Sequence, residues 1–136
     1  DHSVVGELAK TLMMLSDIDT QRLLREVNNG TLAVAMKGMP GCAKARIFDN
    51  MSPRLAVILA DDILYMGPVR LKDVEDDCVK IIKVILKLYN AGEINDYDFS
   101  ILKVIMDIFD STEKSNAELK ERYKELRSVI NRIYND

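Results

Sequence analysis

Apolar residues return at intervals of three and four along almost the whole of this 136-residue chain, and nowhere do they alternate for long between turn signals. That period is the signature of helices with one apolar face, so the chain is expected to fold as helices only. Val74, Cys78, Ile81, Ile85 and Leu88 carry the pattern most clearly, in a 4-3-4-3 spacing. Asp73, Glu75, Asp76 and Asp77 crowd the first turn of the same segment, where the positive end of a helix favours acids. Gly92 stands where a C-terminal cap is expected, so this long helix should be the spine of the core.

Shorter helices are expected before it. Val5, Leu8, Leu12 and Leu15 mark a first one after the cap Ser3. A second begins near Asp19 with Leu23, Leu24 and Val27 buried, and Asn28-Asn29-Gly30 stops it. Thr31 caps a very short third helix that ends at Lys37-Gly38, and Pro40-Gly41 breaks the chain before a fourth running through Phe48. Beyond Asn95, Phe99, Leu102, Ile105, Ile108 and Phe109 trace one apolar face. Ser115-Asn116-Ala117-Glu118 then reads as a capping box opening a last helix with Leu119, Tyr123, Leu126, Ile130 and Ile133. Residues 95–136 are therefore expected to form a helical hairpin, packed on its own domain or offering a seam to another chain.

With 48% hydrophobic and 30% charged residues, the sequence can bury one modest core. No apolar run approaches the roughly 20 residues needed to cross a bilayer, and the N-terminus lacks a signal-peptide pattern, which places the chain in the cytoplasm. A net charge of -3 disfavours sequence-independent binding to nucleic acid, which needs clustered cations. Cys42 and Cys78 have no Cys-x-x-Cys spacing and read as buried small hydrophobes, not as a metal site or bridge. His2 stands beside the terminus and near neither cysteine, so nucleophilic catalysis has little support. Asp61-Asp62 and Asp76-Asp77 are sequence neighbours that diverge by about 100° on a helix, poor geometry for a catalytic dyad. Lys37-Gly38-Met39-Pro40-Gly41 lacks the spacing of a phosphate-cradling loop. The methionines are expected chiefly to fill the core. No catalytic residue, cofactor or metal is expected.

Between Ser52 and Leu71 the sequence displays charge on a helix of its own. Ser52 is a good N-cap, Pro53 is preorganised for the first helical position, and Gly67-Pro68 ends the segment. At about 100° per residue, Arg54, Ile58, Asp61 and Tyr65 share one stripe with Asp62 at its margin. Leu55, Leu59, Ile63 and Met66 point the other way, leaving the charged face free to meet something outside the fold. Such a face is ordinarily only solvated, Lys37 can simply favour the end of its helix, and Arg70 can tie down a loop.

The ordered text Gln21-Arg22-Leu23-Leu24-Arg25-Glu26-Val27, Leu32-Ala33-Val34-Ala35-Met36-Lys37-Gly38, Arg46-Ile47-Phe48-Asp49-Asn50-Met51-Ser52, Asp61-Asp62, Gly67-Pro68-Val69-Arg70-Leu71 and Ala91-Gly92-Glu93-Ile94 resembles the C-terminal domain of the bacterial flagellar rotor protein FliG. The resemblance covers Leu15 to Ile94. It implies an all-α, compact bundle of short helices of the armadillo-like superhelical type, with residues 1–94 as the FliG-like domain and 95–136 as an unmatched extension. It also implies a non-enzymatic rotor and switch component at the inner-membrane-associated flagellar basal body. Lys37, Arg54, Asp61, Asp62 and Arg70 match the family's charged positions for stator contact. The implied partners are the cytoplasmic loop of a MotA-type stator protein, the rotor protein FliM and neighbouring FliG copies.

Three departures qualify what the resemblance carries over. Pro53 and Leu55 replace polar and small residues beside Arg54, giving a stiffer helix start with a greasier flank. The Met-Phe-x-Phe hinge of the family is replaced by Gly6-Glu7-Leu8-Ala9, which puts interdomain swivelling in doubt. The ring-anchoring and middle domains are not in this sequence, which starts at Asp1 and so reads as an excised piece or the end of a shortened paralogue. The competing function is a FliG-like scaffold or adaptor that binds a protein through residues 95–136.

Overall fold

The computed structural model describes residues 3–135. His2 lies outside the described residues. Among the described residues seven helices follow one another: α1 Val4–Met14, α2 Asp17–Glu26, α3 Asn29–Lys37, α4 Gly41–Phe48, α5 Pro53–Tyr65, α6 Leu71–Asn90 and α7 Ser100–Asn135. The all-α fold is the one that the three-and-four spacing predicts. The chain divides into a first compact unit that ends at Lys103 and a second that begins at Val104.

In the first unit α6 is the spine, packing on α3, α1 and α2, while α4 lies on α1 and α5 on α3. Its apolar stripe is sealed: Val74, Cys78, Ile81, Ile85 and Leu88 are all at most 5% exposed. Facing them are Leu8 and Leu12 of α1, Leu23 of α2, and Leu32, Ala35 and Met36 of α3, all buried. Short polar caps set the helix starts. Ser3 Oγ accepts from the Gly6 amide, Ser16 Oγ from Asp19 and Ser52 Oγ from Leu55, each satisfying one otherwise orphaned donor. At α3 the cap is Asn28, whose Oδ1 accepts from the Gly30 and Thr31 amides, so Asn28-Asn29-Gly30 starts a helix where a stop was expected. An Asx side chain that reaches the amides two and three residues on wins over the turn tendency of Asn-Gly.

Long-range polar ties fix the ends of this unit. Arg46 of α4 pairs with Asp17 at 3.1 Å and donates to the Leu15 carbonyl, holding the α1–α2 corner. Arg22 of α2 donates to the Glu93 carbonyl, and the Tyr97 hydroxyl donates to Asp19 at 2.7 Å while accepting from the Ser16 amide. Ile94, Phe99 and Leu102 are buried, and Phe99 stacks on Tyr97 and meets Tyr89 edge-on. These contacts carry the first unit past Ile94, the expected end of the domain, as far as Lys103.

The hairpin expected over 95–136 is not formed. α7 is a single helix of 36 residues that runs straight through Ser115-Asn116-Ala117-Glu118. The reason is local: neither Gly nor Pro occurs between Ser100 and Asn135, and Ser or Asn inside a helix costs only about 0.5 kcal/mol relative to Ala. A break there would orphan several backbone groups for no compensating contact. Thr112, just upstream, keeps its hydroxyl satisfied within the helix by donating to the Ile108 carbonyl.

The cysteines also part company. Cys78 is buried, and burial, with Asp77 and Glu75 nearby, pushes its thiol up to about 12, so it stays protonated. Cys42 is exposed, against the expectation, because it lies in the first turn of α4 on the side away from buried Ala43 and Ile47.

Candidate functional site

The charged face of α5 is where the sequence placed a functional surface. The helix is fixed at both ends: Ser52 caps it with Pro53 in its first turn, and at its far end Gly67 takes φ +73°, a left-handed backbone that suits glycine. Leu59 is 1% exposed against the rest of the unit, and Leu55, Ile63 and Met66 on the same side are half-buried. Arg54, Asp61 and Asp62 are exposed, with Ile58 and Tyr65 on their stripe. Arg54 and Asp61 lie seven residues apart, about 10 Å along the axis, too far for a pair within the helix. Among the described residues neither Arg54, Asp61 nor Asp62 forms an ion pair. Their charges are thus directed to solvent.

The other two charged positions differ in environment. Lys37 is half-buried at the last turn of α3, the helix on which α5 packs, and stands at a negative helix end. Arg70 is the residue before α6, and its guanidinium grips Asp73 through Nε–Oδ2 at 3.0 Å and Nη2–Oδ1 at 3.2 Å. This two-pronged hydrogen bond, with Asp73's charge, holds the arginine above its ordinary pKa. Arg70 therefore stands at the start of α6 with its charge already answered by Asp73. Asp76 and Asp77 are likewise answered, by Lys72 at 3.0 Å and Lys80 at 3.1 Å, so pairing along the helix adds to the dipole effect that their position suggested.

Sequence reasoning missed the apolar rim of this surface. Val57 and Leu64, about 60–80° to one side of the charged stripe, are 61% and 70% exposed, and Leu71 at the start of α6 is also exposed. The signal was present: Val57 and Leu64 fall off the stripe defined by Leu55, Leu59 and Ile63, so α5 carries more apolar surface than one buried face can use. A charged stripe edged by exposed aliphatics is suited to contact with another protein.

A groove of about 540 Å3 between α1 and α4 is lined by Val5, Ala9, Met13, Met39 and Cys42, with Lys10 as its single ionisable amine. Among the described residues no group of His, Cys, Asp and Glu is placed to hold a metal ion. No helix among them is long and apolar enough to cross a membrane.

Comparison with known proteins bears on the same helices. Residues 8–95 match the FliG C-terminal domain family. The flagellar motor switch protein FliG of Thermotoga maritima is 51% identical over 83 residues, which cover 61% of this chain and 25% of that protein. FliG of Bacillus subtilis is 36% identical over 100 residues, covering 69% and 30%. Among solved structures, full-length FliG from Aquifex aeolicus superposes with a TM-score of 0.60 at 30% identity, over 62% of this chain and 26% of that one. A fragment of FliG from H. pylori, residues 116–343, gives the same TM-score at 25% identity, over 62% and 37%. The chain spans about a quarter to a third of the length of the curated relatives it matches. The match reaches from α1 through α6 to the turn after it, well over half the sequence, and the chain belongs to the FliG C-terminal domain family.

Proposed function

We propose that this domain works as a non-enzymatic part of a flagellar rotor, at the basal body, with the exposed stripe of α5 engaging a charged cytoplasmic loop of a MotA-type stator protein. The observation that carries the reading is the outward, unpaired state of Arg54, Asp61 and Asp62 on a helix held at both ends. Each screened surface pair contributes only about 0–1 kcal/mol, so such contacts form and break readily as two surfaces pass. Charge complementarity would set register and encounter rate more than affinity. Lys37 and the Arg70–Asp73 pair border the helix on which these contacts are made. Ion flow, the energy source, belongs to the membrane partner. FliM and neighbouring rotor copies are the remaining proposed partners.

The test is charge reversal in the full-length protein in its own host. Arg54→Asp is expected to cut swimming speed at least about twofold, and reversing the matching charge in the stator loop to restore most of it. Unchanged motility in the single and paired reversals would remove the torque reading. A second reading, a scaffold that binds protein through its C-terminal extension, is favoured by one separate observation: the apolar stripe of α7 from Leu119 to Ile133 is exposed. Under that reading, deleting residues 104–136 is the change that abolishes function.

A further inference from the structure

One dipeptide of the chain carries covalent chemistry that neither the rotor nor the scaffold reading uses. Asn29-Gly30 is the one place in the sequence where glycine follows asparagine. Such a step is prone to deamidation, because glycine has no side chain to hinder attack of its own nitrogen on the asparagine's side-chain carbonyl. Asn29 is exposed and is the first residue of α3. The capping oxygen of Asn28 sits on the atom that would react: Oδ1 accepts from the Gly30 nitrogen at 2.7 Å and from Thr31 at 3.3 Å. The same oxygen accounts for the glycine. A Cβ at residue 30 would stand 3.1 Å from Asn28 Oδ1, tighter than an ordinary contact, so the close cap is built on glycine.

We propose that Asn29 is a slow, self-modifying deamidation site whose rate is set by opening of the Asn28 cap. In the reaction the Gly30 nitrogen gives up its proton to solvent base and bonds to Asn29 Cγ. The Cγ–Nδ2 bond breaks, ammonia leaves, and a cyclic succinimide closes. Water, the co-reactant, then adds to one of the two ring carbonyls. Opening at Cγ leaves an aspartate, and opening at the backbone carbonyl leaves an isoaspartate with the chain routed through Cγ. Nothing is oxidised or reduced.

Two features of the closed cap stop the first step. The Gly30 proton is engaged by Asn28 Oδ1, which keeps solvent base from removing it. The backbone of Asn29 is helical, and a ψ of about −42° turns the next nitrogen away from the side-chain carbonyl. Deamidation therefore runs through the minor state in which the first turn of α3 is open. Glycine makes the step labile, and the cap that requires this glycine keeps it quiet. The products differ in consequence. An aspartate adds negative charge at the positive end of α3, which the helix accommodates. An isoaspartate adds a backbone atom between Asn28 and Gly30, so Oδ1 loses its register with both amides. α3 is the element on which both the charged helix α5 and the spine α6 pack.

The measurement is peptide mapping by mass spectrometry of the whole chain held in mildly alkaline buffer. Each rate is divided by that of the same chain unfolded in urea, which cancels the effect of a substitution on the intrinsic chemistry. Folded rates are taken where circular dichroism shows the chain native. In the parent, Asn29 is expected to convert at least about tenfold more slowly folded than unfolded, yet ahead of Asn50, Asn90 and Asn95. Asn28→Ala is expected to raise the folded-to-unfolded ratio about fivefold, the gain in open population that loss of a typical N-cap implies. Asn28→Asp keeps an accepting oxygen and is expected to match the parent. The proposal is overturned if the parent converts equally fast folded and unfolded, if another asparagine converts first, or if Asn28→Ala keeps the parent's ratio. Equal acceleration in Asn28→Asp would also overturn it, by showing that the capping oxygen is not the guard. None of these outcomes depends on motility, so they leave the charge-reversal test of α5 untouched.

Discussion

α6 and the C-terminal half of α7 write the same apolar sentence and meet opposite fates. Val74, Cys78, Ile81, Ile85 and Leu88 are spaced 4-3-4-3, and so are Leu119, Tyr123, Leu126, Ile130 and Ile133. The first five are between 0% and 5% exposed and the second five between 49% and 68%. Periodicity thus fixes that a helix has an apolar face and which residues form it, but the cover comes from elsewhere in the chain. For α6 it comes from α1, α2 and α3, all encoded upstream and joined by connections of a few residues. Among the described residues the second unit holds no helix besides α7, and its stripe stays solvated.

The sharpest way to break this comparison is to truncate the same position of both stripes. Ile85→Ala is expected to cost about 3 kcal/mol of unfolding free energy, since it opens a cavity at a side chain with no exposure. Ile130→Ala, the equivalent residue of α7, is expected to change the stability of the first unit by less than about 0.5 kcal/mol at concentrations where the chain is monomeric. Urea unfolding followed by circular dichroism measures both. Equal costs would mean that the α7 stripe is already covered within a single chain, and the contrast would collapse.

A smaller effect probes how closely α6 is covered. A Cβ added at Gly38 would lie 2.6 Å from Cγ1 of Val74, the first residue of the α6 stripe. Val74 is β-branched and buried, so it has little room to turn away, and Gly38→Ala is expected to destabilise by about 2 kcal/mol. Relief of that loss by Val74→Ala in the double variant, read from the same urea curves, would locate the strain at this contact. Additive losses would place it elsewhere.

The comparison also explains what could be read without coordinates. The core of the first unit was legible because its signals were redundant: the α6 stripe, the Ser52-Pro53 start, and Gly67 and Gly92 at helix ends all agree, and the two glycines do take φ of +73° and +75°. The outward face of α5 was legible because Leu59 identifies the buried side. Where two local signals competed, the reading failed. Asn28-Asn29-Gly30 spells a turn and a cap equally well, and the cap was realised because a helix follows at once. Ser115-Asn116-Ala117-Glu118 spells a cap too, yet nothing before it ends the preceding helix, so the chain runs on. The uninterrupted heptad through Asn116 was the available clue. The exposed rim at Val57 and Leu64 required knowing how much of α5 its neighbours cover, which no helix period contains.

The joint before α7 offers the finest adjustment of the contrast, because local polar bonds there act beside apolar cover from Phe99 and Leu102. The Asp98 carboxylate accepts from both the hydroxyl and the amide of Ser100, the first residue of α7. Those two bonds, the hydroxyl's first, with Lys103 adding charge, hold the Asp98 carboxyl below the usual aspartate value. A carboxyl depressed in the folded state stabilises fully above its unfolded pKa of about 3.9, and that contribution is lost as pH falls through the lowered value. Since Asp98 is fully solvated, the effect on stability is small, and the carboxyl's own titration is the better readout. Followed by carbon NMR, its midpoint is expected to move up toward the ordinary aspartate range in Ser100→Ala, where the largest cause of the shift is gone and the amide bond remains. An unchanged midpoint would mean that the hydroxyl contributes nothing at this joint, leaving the start of α7 to the Ser100 amide bond and to the buried Phe99 and Leu102, a closer likeness to α6 and its apolar stripe.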